Sequence, residues 1–125
     1  MTARAHPERD LQQAVARLLD VAGFCWLHPE NERQCNVVQG AIRKRVGVKA
    51  GIPDVLIFDP TDPADPRERP YSGVAIELKA PRGITSPAQL EWLTRLGGCE
   101  WSCHICRSID EVIAVLKRHY PGRIK

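Results

Sequence analysis

The chain predicts a single α/β domain, residues 1–125, in which a mixed sheet is flanked by helices. Three observations carry that expectation. Hydrophobic periodicity alternates between helical and strand spacing in the order α-β-β-β-α-β-α. Three strands follow one another and then a strand–helix–strand crossover returns to the sheet, a succession that indicates a mixed sheet flanked by helices. The 125 residues show no internal repeat and leave room for one modest core. Hydrophobic residues at 43% and charged residues at 26% are ordinary for a globular chain. No apolar run approaches the roughly 20 residues a membrane helix needs, so a soluble chain of a reducing, cytoplasmic compartment without a membrane partner is expected. The net charge of +3 is a mild basic bias, compatible with a polyanion.

The first helix is written in "HPERDLQQAVARLLDVAG". Pro7 suits the first helical position, and Glu8 and Asp10 suit the positive N-terminal end. Leu11, Val15, Leu18 and Leu19 recur at helical spacing, and Gly23 can end the run. Glu8 precedes Leu11 by one turn and Val15 by two, which places it on the same inward stripe. "FCWLH" (24–28) reads as a short strand. The next segment is polar and then basic, with a weak helical tendency over 41–46. "DVLIFD" (54–59) is a β-branched strand entered through Pro53, where no ladder donor is needed. Residues 60–72 are proline-rich and predict an exposed loop.

"AIELKAPRG" (75–83) follows. Ser86, Pro87 and Gln89 form a capping-box start for a helix that Gly97-Gly98 should stop. "WSCHICR" (101–107) is the last strand. Ser108 and Glu111 open a final helix with Val112 and Leu116 inward, and Pro121 ends it. The five cysteines are an odd number, which argues against a disulfide framework. Cys103 and Cys106 have a two-residue gap, but a strand turns them to opposite faces and no second pair lies at finger spacing. Structural zinc is not expected.

One strand breaks its own apolar pattern. Val74, Ile76, Leu78 and Ala80 share a face, which puts Glu77 and Lys79 together on the other. A surface ion pair is the plain reading. A second carboxylate favours another, because Asp54 opens the preceding strand and sequential strands usually pair. Glu8, on the first helix, can complete the group. Three carboxylates in company repel, and each titrates upward unless a cation neutralises them. Mg²⁺, or Mn²⁺ in its place, suits such hard oxygen donors. Such an ion lowers the pKa of a bound water and polarises a phosphoryl oxygen, while Lys79 orients that water or offsets charge on phosphate.

Pro53-Asp54 followed by Glu77-Leu78-Lys79 resembles the PD-(D/E)XK nuclease signature. "GIPDVLIF", "AIELKAPRG", "SPAQLEWL" and "CRSIDEVIAVL" together resemble the VRR-NUC branch, in its free-standing phage form. The resemblance implies a restriction-endonuclease-like α-β-β-β-α-β core with a C-terminal helix. It implies Asp54 and Glu77 as metal-binding catalytic carboxylates, Lys79 as the lysine that assists the attacking water, Glu8 as a further metal ligand, and the backbone carbonyl of Leu78 as another. Gln89 matches a glutamine common in the branch. Its other reading is the capping-box partner of Ser86, and one side chain seldom serves both.

Arg33, Arg43, Lys44, Arg45 and Lys49 cluster before the first motif, and Arg82 follows the second. Such runs are usually solvated, yet beside a metal site they suit phosphate contact without base reading. The expectation is therefore a metal-dependent endonuclease acting on branched DNA, resolving Holliday junctions as a homodimer whose two centres place two symmetric nicks. A bacterial or phage source follows from the resemblance. The alternatives are flap endonuclease or exonuclease action, and a non-catalytic DNA-binding domain that keeps the fold.

Overall fold

The computed structural model describes residues 6–29, 37–47 and 49–124. The elements in chain order are α1 (Pro7–Val21), β1 (Trp26–Leu27), α2 (Val37–Arg45), β2 (Val55–Ile57), β3 (Gly73–Leu78), α3 (Pro87–Gly98), β4 (Trp101–Cys106) and α4 (Ile109–His119). The four strands lie in sequence order, β1-β2-β3-β4. β1 pairs antiparallel with β2 and β2 with β3, and β3 pairs parallel with β4. This is the expected mixed α/β sheet with its last pair made by a helical crossover.

α2 is the addition. A weak tendency over 41–46 becomes a helix from Val37 to Arg45. Its β-branched residues and Gly40 lower helix propensity, and Val37, Val38 and Ile42 are exposed rather than gathered on a buried stripe, so periodicity carried little signal. The strands are also shorter than expected: β1 keeps two residues and β2 three. α3 ends at Gly98, where the glycine pair was expected to stop it, with Cys99 as its C-cap.

The core lies on one face of the sheet. Val15 and Leu19 of α1, Val55 and Ile57 of β2, Val74, Ile76 and Leu78 of β3, and Val112 and Leu116 of α4 form one buried cluster with Phe24, Cys106 and Tyr120. Burying each such aliphatic side chain favours folding by roughly 1.5–3 kcal/mol. All six β3 residues are buried, so a second layer must cover the opposite face. α3 supplies it, crossing from β3 to β4 with Trp92, Leu93 and Leu96 half-buried. Gly73 is required there, because a Cβ would strike the Ile57 carbonyl and the Trp101 ring.

Residues 60–72 leave and return at a closed neck. Thr61 donates its N–H to the Tyr71 carbonyl at 3.0 Å, and its hydroxyl accepts from the Tyr71 N–H at 2.6 Å. Under α4 sits a polar cluster: Ser102 Oγ lies 2.8 Å from His104 Nε2 and 3.1 Å from His119 Nε2, and the two imidazole nitrogens are 3.2 Å apart. Burial, then the His119 and Arg118 charges, hold the His104 pKa down to about 4. Burial lowers His119 as well.

Candidate active site

The acids meet where the β2–β3 ladder ends. Val55 pairs with Ile76, and one further step of this antiparallel register sets Asp54 opposite Glu77. At that step the main chain stops pairing. The Asp54 carboxylate takes over instead, Oδ2 accepting the Leu78 N–H at 2.8 Å. Asp54 is held from the other side by His28, whose Nδ1 donates to the Asp54 carbonyl at 2.6 Å. A groove opens beside this point, lined by Glu8, Arg9, Gln12, His28, Asp54 and Leu78.

Glu77 is only 2% exposed and Lys79 8%. Lys79 Nζ stands 3.9 Å from Glu77 Oε1, and the Lys79 N–H continues the parallel ladder by donating to the Cys106 carbonyl at 3.0 Å. The shared face expected for these two residues is therefore a buried one. Glu77 Oε1 also accepts from Gln89 Nε2 at 3.2 Å, whereas Glu77 Oε2 is buried and receives no donor from the protein. Burial pushes the Glu77 carboxyl up to about 9. The Asp54 carboxyl adds to the rise, by accepting the proton that the neutral Glu77 acid carries and by charge, and Glu8 adds by charge, against the opposing Lys79 ammonium.

Gln89 makes the capping contact and a contact to Glu77 at once. Its Oε1 accepts the Ser86 N–H at 2.8 Å and its own N–H reaches Ser86 Oγ at 3.2 Å, completing the capping box. The amide nitrogen is left over and points at Glu77. An amide carries an acceptor and two donors on separate atoms, so cap and carboxylate contact do not compete, contrary to the expectation that one excludes the other.

Glu8 departs from expectation differently. It is exposed rather than inward, because the α1 stripe that reaches the core is set by Val15 and Leu19. It still borders the groove with Asp54 and acts on Glu77 by charge.

The basic residues spread around this centre. Lys44 and Arg45 are exposed in the last turn of α2, Arg43 is half-buried there, and Lys49 and Arg82 are exposed in the segments leading to Asp54 and away from Lys79. Arg33 and Cys35 lie outside the described residues. Four contributors escaped sequence reasoning. His28, an exposed residue, buttresses Asp54 through its main-chain carbonyl. Arg9 and Gln12 line the groove as well; Gln12 lies one helical turn from both Glu8 and Arg9, a signal the i, i+3/i+4 spacing carried. Arg107 holds the turn after β3, its guanidinium donating to the Ala80 and Gly83 carbonyls at 2.9 and 2.8 Å.

Among the described residues, no three His, Cys, Asp or Glu side chains already enclose a metal position. The donor chemistry nevertheless fits a hard divalent cation. The buried, unpartnered Oε2 of Glu77, the Asp54 carboxylate across the ladder end and the Glu8 charge at the groove are oxygen donors of the kind Mg²⁺ takes in twos and threes, leaving the rest to water and phosphate.

Comparison with known proteins identifies the family and the fold. The VRR-NUC domain matches residues 7–110. A solved structure described as a VRR_NUC domain protein superposes with a TM-score of 0.71 at 26% identity, over 94% of this chain and 91% of that one. Comparison with curated proteins gives no match.

Proposed function

We propose a phosphodiesterase role for this chain, which belongs to the VRR-NUC family and has its nuclease-type fold: metal-dependent endonucleolytic cleavage of DNA, directed at branched structures. The observation that carries the reading is Glu77, a carboxyl buried beside Asp54 with one oxygen unpartnered. A core gains nothing from such a group, since a buried polar atom without a partner costs roughly 1–3 kcal/mol.

Asp54, Glu77, Glu8 and the Leu78 carbonyl would hold Mg²⁺ or Mn²⁺. When bound, that ion supplies positive charge for a phosphate oxygen and acidifies water. The chain's own residues do the rest. Gln89 and Lys79 fix Oε1 of Glu77, leaving Oε2 as the free donor. The Leu78 N–H and His28 fix Asp54 from two sides. Lys79, held by burial, presents its ammonium at the same point, where it orients an attacking water or offsets negative charge on the phosphate. In the hydrolysis, water oxygen bonds to phosphorus, the P–O bond to the leaving strand breaks, and the proton passes to the leaving oxygen. Arg43, Lys44, Arg45, Lys49 and Arg82 take the DNA backbone by charge rather than by sequence.

Junction resolution by a homodimer is the finer part of the proposal. One centre cuts one strand, and a two-fold dimer sets two nicks symmetrically. The test is nicking of a labelled four-way junction by purified protein with Mg²⁺ or Mn²⁺, arrested by chelator. Unchanged cutting by Asp54→Ala and Glu77→Ala would remove the site. Equal processing of junction, flap and linear duplex would remove the resolvase reading and leave the flap or exonuclease activity. Tight binding without any cutting would leave a DNA-binding domain.

A further inference from the structure

A second pocket of about 300 Å³ lies along α3, lined by Lys49, Ala50, Ala88, Glu91, Trp92 and Arg95. Both of its walls lead into the candidate active site. Ala88 precedes Gln89, which donates to Glu77. Lys49 and Ala50 run into Gly51-Ile52-Pro53-Asp54, and four residues span at most about 14 Å. The walls are locked together. Gly51 has φ +80° and sits so close to Ala88 that a Cβ would lie 2.6 Å from the Ala88 carbonyl carbon. No other residue fits there on either ground. The pocket is thus fixed in place relative to Asp54 and Glu77.

Its chemistry is an aromatic plane with cations. Trp92 is half-buried, and the Arg95 guanidinium carbon stands 5.9 Å from its ring centroid. Lys49 is exposed at the rim, and among the described residues Glu91 is the only anion of the lining. A phosphate inside would meet the Glu91 carboxylate. A nucleobase would not, since its ring stacks on indole and guanidinium and its exocyclic amino group can donate to a carboxylate. The volume lies at the small end of ligand sites and is enough for one base.

We propose that this pocket receives one unpaired base of the DNA, stacked on Trp92 and Arg95, with the adjoining phosphate on Lys49. The inference rests on the nucleic-acid reading above and deepens it. A fully paired duplex keeps its bases stacked inside, whereas a junction crossover or a flap offers one free. Selection for branched DNA would then lie beside the catalytic acids and within a single protomer, independent of any dimer.

The experiment uses the full chain in chelator, with fluorescence anisotropy on three DNAs of equal length: a four-way junction, a flapped duplex and a fully paired duplex. A second arm places 2-aminopurine at the flap base, whose emission falls on stacking. Wild type is expected to bind flap and junction about 10-fold tighter than paired duplex and to quench the probe. Trp92→Leu should weaken flap binding by about 10-fold, with paired duplex changed less than about twofold, while Trp92→Phe keeps most of the preference. Arg95→Gln, an exposed position that leaves the core intact, should lose part of the quenching and guards against a Trp92→Leu that does not fold. Equal weakening on all three DNAs, or an unquenched probe with wild type, overturns the pocket. The nuclease reading fails separately: Mg²⁺-dependent nicking by a wild type that shows no flap preference refutes the pocket alone, and flap preference without nicking refutes catalysis alone.

Discussion

Replacing Glu77 by Gln should make the metal-free protein more stable, and the size of the gain should depend on pH. The carboxyl sits at about 9 in the folded chain against 4.5 for a free one. A pKa raised by folding means that the folded state holds its proton longer than the unfolded state does. Stability from this group is complete below pH 4.5 and is lost as pH rises towards 9. At pH 7 the unfolded chain has ionised across about 2.5 pH units, each worth about 1.4 kcal/mol. The wild type is therefore about 3 kcal/mol below its acid-side value from this residue alone.

Gln keeps the side-chain shape and cannot ionise, so Glu77→Gln should recover most of that amount. Urea unfolding in EDTA at pH 6.5, 7.5 and 8.5 measures it: the variant's advantage should widen by about 1 kcal/mol per pH unit. Adding millimolar Mn²⁺ should reverse the order, because only the wild type offers the ionised donor. A variant less stable than wild type at every pH, with a constant difference, would refute the reasoning. It would mean that Glu77 is charged in the fold and matched by Lys79.

Asp54→Ala should abolish nicking while DNA affinity holds or rises slightly, since a negative charge leaves the phosphate path; anisotropy in EDTA reads the second half. Lys79→Ala should lower kcat by about 100-fold or more with less than about threefold change in DNA affinity, the mark of a group that acts on the reacting centre; equal losses would make it a phosphate contact only. Gln89→Ala removes a cap and a carboxylate contact together. It should cost about 1 kcal/mol of stability by thermal melt and, unlike Ser86→Ala, should also reduce nicking. His104 has its pKa lowered to about 4 from 6.5, so its contribution is present above pH 6.5 and lost as pH falls towards 4. Wild type should lose up to about 3 kcal/mol over that window and His104→Gln much less.

The layout of the sheet was legible because its strands keep simple patterns. Val55, Ile57, Val74, Ile76 and Leu78 alternate inward as their β-branched and aliphatic types suggest, and the interruption by Glu77 and Lys79 marks the site. α2 was faint because a helix whose apolar residues are exposed leaves no stripe to count. Glu8 was misjudged in orientation because i, i+3 spacing fixes a face only for residues within the packed turns. Here the packing begins in earnest at Val15. His28 and Arg107 could not be read at all. Each acts through main-chain carbonyls 24 to 27 residues away, and nothing local in a sequence records which distant carbonyl lacks a donor.

That pattern has a consequence for how the acids work. The motif residues are positioned partly by one another and partly by groups outside the motif, at the place where the β2–β3 ladder runs out. The Leu78 N–H would otherwise lack a partner, and the Asp54 carboxylate supplies it. The Asp54 carbonyl is held by His28. Glu77 is held by the spare donor of a helix cap, and the turn beyond Lys79 is tied down by Arg107. The acids thus stand at a boundary between regular pairing and side-chain substitution, where backbone groups are free to be claimed by side chains. It follows that the supporting residues should separate turnover from binding. Arg107→Met keeps the length of the side chain and removes its donors, which releases the 80–83 turn but takes no charge from the groove. It should lower kcat several-fold with DNA affinity within about twofold and the thermal midpoint only a few degrees down. An equal fall in affinity would show instead that Arg107 belongs to the DNA path and that the turn is held by something else.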